Sequence, residues 1–280
     1  MITAADVKRL RDLTGAGMMD CKQALEEAGG DIQKAIEILR KKGQKVAAKR
    51  AERVASEGVV VARVSPDGKR GVLVEVNCET DFVARSEDFV CFADRVAELA
   101  LAHAPADLEA LQALSYGEGR TVAEALHELV GKIGEKIEIA RFTVLQAQGV
   151  LVAYVHPGNK LAVLVDIEAS GELLQSLGRD MAMQVAAMNP VALDRESVPA
   201  EIRERELEIA REQARAEGKP EAIVERIAQG KLEKFYKEHV LLEQPFIKDG
   251  EKTVSEVLRA HTGARLFRFV RYMLGERQLG

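Results

Sequence analysis

Two stretches of this chain repeat each other, and the repeat limits what its middle can fold into. Residues 58–76, GVVVARVSPDGKRGVLVEV, align without a gap with residues 149–167, GVLVAYVHPGNKLAVLVDI, 91 residues further on. Self-similarity of this kind marks a duplicated structural unit. Each copy holds two apolar, β-branched runs around a proline-led turn, the pattern of a β-hairpin. In the first, Ser65-Pro66-Asp67-Gly68 suits a type I turn, with proline second and glycine last; Pro157 takes the same place in the second. A helical pattern follows each hairpin, over Glu87–His103 and Leu173–Met188. Residues 136–147, KIEIARFTVLQA, predict a strand leading into the second copy, and ARLFRFVRYML predicts one returning to it. Antiparallel strands with helices on one face place the chain in the α+β class.

The flanks are helical. Residues 1–43 predict a three-helix unit: Thr3 with Asp6 forms a capping box, and TGAG (14–17) breaks the first helix. Asp20 can cap the second, Gly29-Gly30 end it, Asp31 can cap the third, and Lys41-Lys42-Gly43 close it. The basic run that follows, 44–56, admits a nucleic-acid arm but suits a solvated linker helix better, because it has alanines and no aromatic residue. The repeat divides the body into a first subdomain over 57–147 and a second over 148–196 and 239–280. Residues 197–238, charge-rich and broken at Gly218 and Pro220, predict an inserted antiparallel helical hairpin, with Ser197 as a cap and Pro199 at its first helical position. Its apolar stripe runs through Ile202 and Ile209, then Val224, Ile227, Leu232 and Phe235. Thr253 and Glu256 form another capping box.

Chemistry is hard to find in this chain. His127-Glu128 begins a zinc motif, but position 131 is glycine where the second histidine belongs. GAGMMD lacks the third glycine of a dinucleotide fingerprint, and no P-loop, nucleophile elbow or EF-hand loop occurs. The five histidines show no metal-ligand spacing, so no metal, cofactor or catalytic constellation is expected. Net charge is -5 with pI ≈ 5.7, which gives no chain-wide field for nucleic acid or an anionic membrane. Three cysteines without a CxxC fit a reduced compartment. The opening MITAADVKRL is unlike a signal peptide, and no apolar run approaches membrane-spanning length, so the expectation is a soluble cytoplasmic protein.

One loop stands out. NCETDFVARSEDF (77–89) joins the first hairpin to its helix, with Ser86 as the helix cap and a phenylalanine, Phe82, in the connection. That ring can fold back on the core or stand exposed as a binding anchor. The second copy has EASGELLQSLGRD at this place and no phenylalanine, which argues against a sealing role shared by both copies.

Four segments resemble the bacterial elongation factor Ts family, in that family's order: LRDLTGAGMMDCKQALEEAGGDIQKAIEILRKKG, NCETDFVARSEDF, AMQVAAMNP (182–190) and QPFIKD (244–249). The resemblance covers nearly the whole chain, although the added C-terminal helical module of some members is missing after FVRYMLGERQLG. It implies a ubiquitin-associated-like N-terminal domain and a guanine-nucleotide exchange factor, not an enzyme, whose partner is the GTPase elongation factor Tu. It further implies that Thr80, Asp81, Phe82 and Val83 form the turn that displaces the partner's Mg²⁺, with Phe82 as a wedge and Asp81 as the polar group competing for partner contacts. Arg11, Met18 and Met19 would dock the N-terminal unit on the partner, unless the methionines pack inside that unit. His156 would touch another partner domain, unless it is an ordinary turn residue. The 197–238 hairpin is open to pairing two copies into a homodimer, touching the partner, or standing in solvent. Two other classes stay in view: a chaperone-like binding protein that grips a helix, and an enzyme with an unsigned site.

Overall fold

A computed structural model of the chain describes residues 2–171 and 173–276. The last four residues of the second-subdomain boundary, 277–280, lie outside the described residues. The N-terminal unit comprises α1 (Ala4–Thr14), α2 (Met18–Glu27) and α3 (Ile32–Arg50), packed around Leu10, Cys21, Leu25 and Ala35. The Thr3–Asp6 capping box and the Asp31 cap are both formed, and Gly15 ends α1 in the left-handed conformation. Asp20 does not cap α2. Gly17 holds that position, and the Asp20 carboxylate instead accepts from Lys42 at 2.7 Å.

The helix expected to stop at Gly43 continues through it to Arg50. The reason is tertiary. The helix α7 (Val122–Ile133) crosses α3 where Gly43 meets Gly131; a Cβ on Gly43 would lie 2.8 Å from the His127 carbonyl. The close approach offsets the roughly 1 kcal/mol that glycine costs inside a helix. The basic side chains are taken up by acids nearby: Arg40 pairs with Glu128, and Arg50 and Arg53 with Glu79.

The first copy runs β1 (Glu57–Val64), β2 (Arg70–Cys78), a single helical turn α4 (Asp81–Ala84), α5 (Glu87–His103), α6 (Leu108–Ala113), a ribbon of β3 (Ser115–Gly117) and β4 (Arg120–Thr121), α7 (Val122–Ile133) and β5 (Ile137–Gln146). The second runs β6 (Val150–Val155), β7 (Leu161–Glu168) and α8 (Leu173–Met188). Two long helices follow, α9 (Ala200–Ala216) and α10 (Glu221–His239), and then a 3-10 turn at Leu241–Glu243. A ribbon of β8 (Pro245–Phe246) and β9 (Asp249–Thr253), α11 (Val254–Arg259) and β10 (Arg265–Met273) complete it. Both sheets are antiparallel, ordered β1-β2-β5 and β10-β7-β6. The mixture of helix and sheet agrees with the α+β expectation.

The likeness of the halves extends beyond the hairpins. Thr121 and Thr253 each close a capping box, in TVAEAL and TVSEVL, at the start of the helix before the third strand. The ladder to that strand shifts register after Glu75↔Arg141 in one sheet and at Asp166↔Arg268 in the other, the same repeat position. One face of each sheet carries helices, with α5 and α7 on the first and α8 and α11 on the second. The other faces pack together through Val60, Leu73, Leu145, Leu151, Leu164 and Tyr272.

Polar contacts across this junction also come in equivalent pairs. Val60 N–H donates to the Asn159 carbonyl at 2.6 Å, and its counterpart Leu151 N–H donates to the Gly68 carbonyl at 2.8 Å. Buried Glu75 accepts from Arg141 Nε at 2.7 Å and from Gly275 N–H at 3.0 Å. Buried Asp166 accepts from Gln148 and Gly149 N–H at 2.9 and 3.0 Å, with Arg268 Nε 3.4 Å away. Each arginine reaches over to the other sheet: Arg141 donates to the Met273 carbonyl, and Arg268 to the Gln146 carbonyl.

In the helical pair, Pro199 stands at the N-cap rather than inside α9, and the Ser197 side chain bonds Asp194 instead of capping. The inner face is Ala210, Ala214, Val224, Ala228, Leu232 and Tyr236; Ile209, expected on the stripe, is exposed. Small alanines let the two helices approach where larger side chains would hold them apart. No helix among the described residues is long and apolar enough to cross a membrane.

A buried ion pair is more costly to halve than to remove. Arg141→Leu is expected to lower the unfolding free energy by about 3–5 kcal/mol by stranding Glu75. The double variant Glu75→Leu/Arg141→Leu should recover most of it, as measured by urea denaturation at neutral pH.

Candidate functional site

The connection after β2 is not an irregular loop: residues 81–84 form one helical turn capped by Thr80. Thr80 has an acceptor and a donor role at once. Its Oγ1 accepts from Val83 N–H at 3.4 Å while its hydroxyl donates to Glu135 Oε1 at 2.8 Å, and its N–H donates to Glu135 Oε2 at 3.0 Å. The Cys78 thiol donates to the Thr80 carbonyl at 3.1 Å. Burial, with the Glu135 carboxylate nearby, pushes that thiol up to about 12, so it stays protonated and serves as a donor. Glu79 accepts from Lys136 N–H at 2.6 Å and from Arg53; these contacts hold its carboxyl below the ordinary value.

At the far end of the turn, Ser86 heads α5 without a side-chain cap bond, because its hydroxyl donates to the Val83 carbonyl at 2.8 Å. Ala84 is buried, Val83 packs against the first core, and Asp81 pairs with Arg85. Phe82 is left 82% exposed. A phenylalanine held in water forgoes about 1.5–3 kcal/mol of burial, on a turn whose other members are bonded or packed. Of the two placements open to this ring, the exposed one is found, as the contrast with the second copy suggests.

The remaining site residues lie elsewhere. Met18 and Met19 open α2 and are 55% and 73% exposed, so they do not pack inside the three-helix unit. With Ile2, Val7 and Lys22 they line a shallow groove of about 530 Å³. Arg11 is exposed in the last turn of α1, beside exposed Leu13. His156 is exposed on the β6–β7 turn, its Nδ1 2.9 Å from the Tyr154 hydroxyl. The chain thus offers one rigid turn with a bare aromatic, one methionine-lined groove and one hairpin tip. Thr80–Val83 are together on the turn; Arg11, Met18, Met19 and His156 belong to other elements.

Sequence reasoning passed over Glu79 and Glu135, which hold the turn. The available signal was their absence from the second copy. AMQVAAMNP and QPFIKD prove to touch: the buried Gln184 amide donates to Gln244 Oε1 at 3.2 Å and to the Pro245 carbonyl, and Ile247 N–H donates back to Gln184 at 2.8 Å. The broken zinc motif is the helix crossing, where Gly131 faces Gly43. Among the described residues no three His, Cys, Asp or Glu side chains converge as metal ligands.

Phe82→Ala is expected to change the unfolding free energy by less than about 0.5 kcal/mol, as at other exposed sites. Phe89→Ala, which empties a fully buried position in the first turn of α5, should cost about 3–5 kcal/mol in the same denaturation experiment.

Comparison with known proteins gives one consistent result. The family model described as elongation factor TS matches residues 79–276. The chain is 52% identical to the elongation factor Ts of Chloroherpeton thalassium, covering 99% of each chain. It is 51% identical to those of Prosthecochloris aestuarii and Cytophaga hutchinsonii, covering 98% of this chain and 99% of each relative. With a match over this much of its length, together with the four motifs and the turn they surround, the chain belongs to the elongation factor Ts family.

Proposed function

We propose that this chain is a guanine-nucleotide exchange factor in translation elongation: it binds elongation factor Tu carrying GDP, disturbs the Mg²⁺ and phosphate surroundings, and releases GDP so that GTP can enter. The observation that carries the reading is Phe82, an exposed ring on a turn bonded at both ends. In this reading Phe82 is the wedge, Asp81 and Thr80 contact or orient partner groups, and Val83 anchors the turn to the core. Residues 1–43 act as a ubiquitin-associated-like docking unit through Arg11, Met18 and Met19, the last two suited to an adaptable apolar contact. His156 touches a further partner domain. Residues 44–56 link that unit to a first subdomain (57–147) and a second (148–196 and 239–280), with 197–238 inserted. The chain itself binds no nucleotide, breaks no covalent bond, and contacts neither nucleic acid nor membrane.

The physics is linkage: factor and nucleotide weaken each other's binding to the GTPase by the same factor. Much of a GTPase's hold on nucleotide comes from phosphate contacts and the bridging Mg²⁺, so a wedge there acts without touching the base. Accelerating release on the order of 10⁴-fold requires about 5.5 kcal/mol, and burying one phenylalanine supplies roughly 1.5–3 kcal/mol. The docking groove and the hairpin tip must contribute the rest. Salt bridges on the 197–238 hairpin, such as Arg211–Glu225 and Arg215–Glu221, close within it, which favours a solvent-exposed arm over a dimer contact.

Two measurements test this. Added chain should speed the loss of labelled GDP from elongation factor Tu, and Phe82→Ala should lose roughly 10- to 100-fold of that acceleration; no acceleration by the wild type overturns the reading. Sedimentation of the chain alone should give a monomer, and a dimer would reassign the helical hairpin.

A further inference from the structure

The halves of this protein serve as controls for each other: what one copy has and the other lacks is not needed to close the sheet. We infer that Glu135 is a positioning residue for the exchange turn, and that with Glu79 it forms a reciprocal clamp fixing where Phe82 stands. The inference rests on the exchange reading above. The β2–β5 ladder ends at Cys78↔Ile137. Just beyond, the two chains are joined by side chains instead of backbone pairs. Glu79, following β2, grips the backbone N–H of Lys136 at 2.6 Å. Glu135, preceding β5, grips the backbone N–H and hydroxyl of Thr80 at 3.0 and 2.8 Å.

Thr80 is thereby held from several directions. Its carbonyl also accepts from the Cys78 thiol and from Ala84 N–H at 3.1 Å, which starts the helical turn. Phe82 follows two residues later, and Ser86 fixes the other end through the Val83 carbonyl. Glu79 additionally pairs with Arg50 in the last turn of α3 and with Arg53, so the clamp is tied to the helix that carries the N-terminal unit.

Among the described residues the second copy has none of this. By the repeat register, Ser170 and Gly171 stand where Glu79 and Thr80 do, and Thr262 and Gly263 where Glu135 and Lys136 do. Its sheet forms the same order with the same register shift. The clamp is thus an addition confined to the copy that bears the aromatic. An exposed side chain that must enter a partner loses freedom on binding, and a turn ordered beforehand reduces that loss.

The experiment uses the full chain and has two arms. The chain contains no tryptophan, so Phe82→Trp supplies a single reporter on the turn. In that background Glu135→Ala should lower the anisotropy of the tryptophan and raise its quenching by acrylamide, while Glu135→Gln, whose amide oxygen still accepts from Thr80 N–H, should stay near the parent. Unchanged anisotropy and quenching overturn the clamp whether or not the chain proves to be an exchange factor.

The second arm measures release of labelled GDP from elongation factor Tu against factor concentration. Glu135→Ala should reduce the maximal rate about tenfold and leave the half-saturating concentration within about twofold of wild type, with Glu135→Gln recovering most of the rate. Adding Glu135→Ala to Phe82→Ala should slow exchange no further, because the clamp acts through the ring; a full multiplicative loss in the double variant would mark a merely structural effect and overturn the proposal. If Glu135→Ala fails to fold, Thr80→Val, which removes the hydroxyl's bonds to Glu135 and to Val83 N–H and leaves the backbone bond from Thr80 N–H to Glu135, should slow the maximal rate in the same direction, and a wild-type rate for it overturns the clamp. Failure of the wild type to release GDP removes the exchange reading and leaves the anisotropy arm to decide the positioning.

Discussion

Two buried carboxylates, Glu75 and Asp166, govern how the halves of this protein meet. A carboxylate taken out of water costs several kcal/mol unless its lone pairs are matched. Neither acid is matched by its own hairpin alone. Glu75 needs Arg141 from β5 and the backbone N–H of Gly275, just past the last strand of the other half. Asp166 needs Gln148 N–H, the equivalent position just past the last strand of the first half, with Arg268 beside it. The arginines then donate to carbonyls on the opposite sheet. Apolar burial supplies most of the attraction between the sheets, but it is non-directional. The charged groups require one relative placement, and the paired hairpin-turn contacts, Val60 with Asn159 and Leu151 with Gly68, agree with it.

With that placement set, differences between the copies become informative. The shared parts are the hairpin, the helix behind it, the capping-box helix and the third strand. The second copy adds α9 and α10 between shared elements, and the buried amides of Gln184 and Gln244 brace the point where the chain returns. The first copy instead adds the helical turn with Phe82, the acids that hold it and a helix crossing at Gly43 and Gly131 that ties the N-terminal unit to the core. A duplicated frame has in this way become asymmetric: one half carries a projecting arm, the other a projecting ring.

The ring is energetically unusual in the free protein. Exposed aromatic area is stabilisation left unused, and on a turn otherwise saturated with hydrogen bonds it is available to a partner without rearrangement. That suits the proposed role of a factor that lowers a partner's affinity for its ligand. Under that proposal rigidity matters as much as hydrophobicity, because a wedge that yields transmits little of its binding energy to the site it is meant to open.

Local patterns were sufficient for much of this. The hairpins with their Ser65–Gly68 and His156–Asn159 turns, the bounds of α5 and α8, the capping boxes at Thr3 and Thr253 and the doubling itself follow from residue type and spacing, because they depend on neighbours within a few positions or on alternation within one strand. The contrast between NCETDFVARSEDF and its counterpart already pointed outward for Phe82. Tertiary structure decided what depends on distant partners. Gly43 resembles a helix stop and is a crossing point; His127-Glu128 resembles half a metal site and borders that crossing; Asp20 and Ser197 resemble caps and bond elsewhere. Glu79 and Glu135 resemble solvated acids, and only the approach of chains some fifty residues apart turns them into a clamp. Spacing along a chain encodes the local hydrogen bonds of helices and turns, whereas the partner of a side chain beyond its own element is settled when the core closes around it.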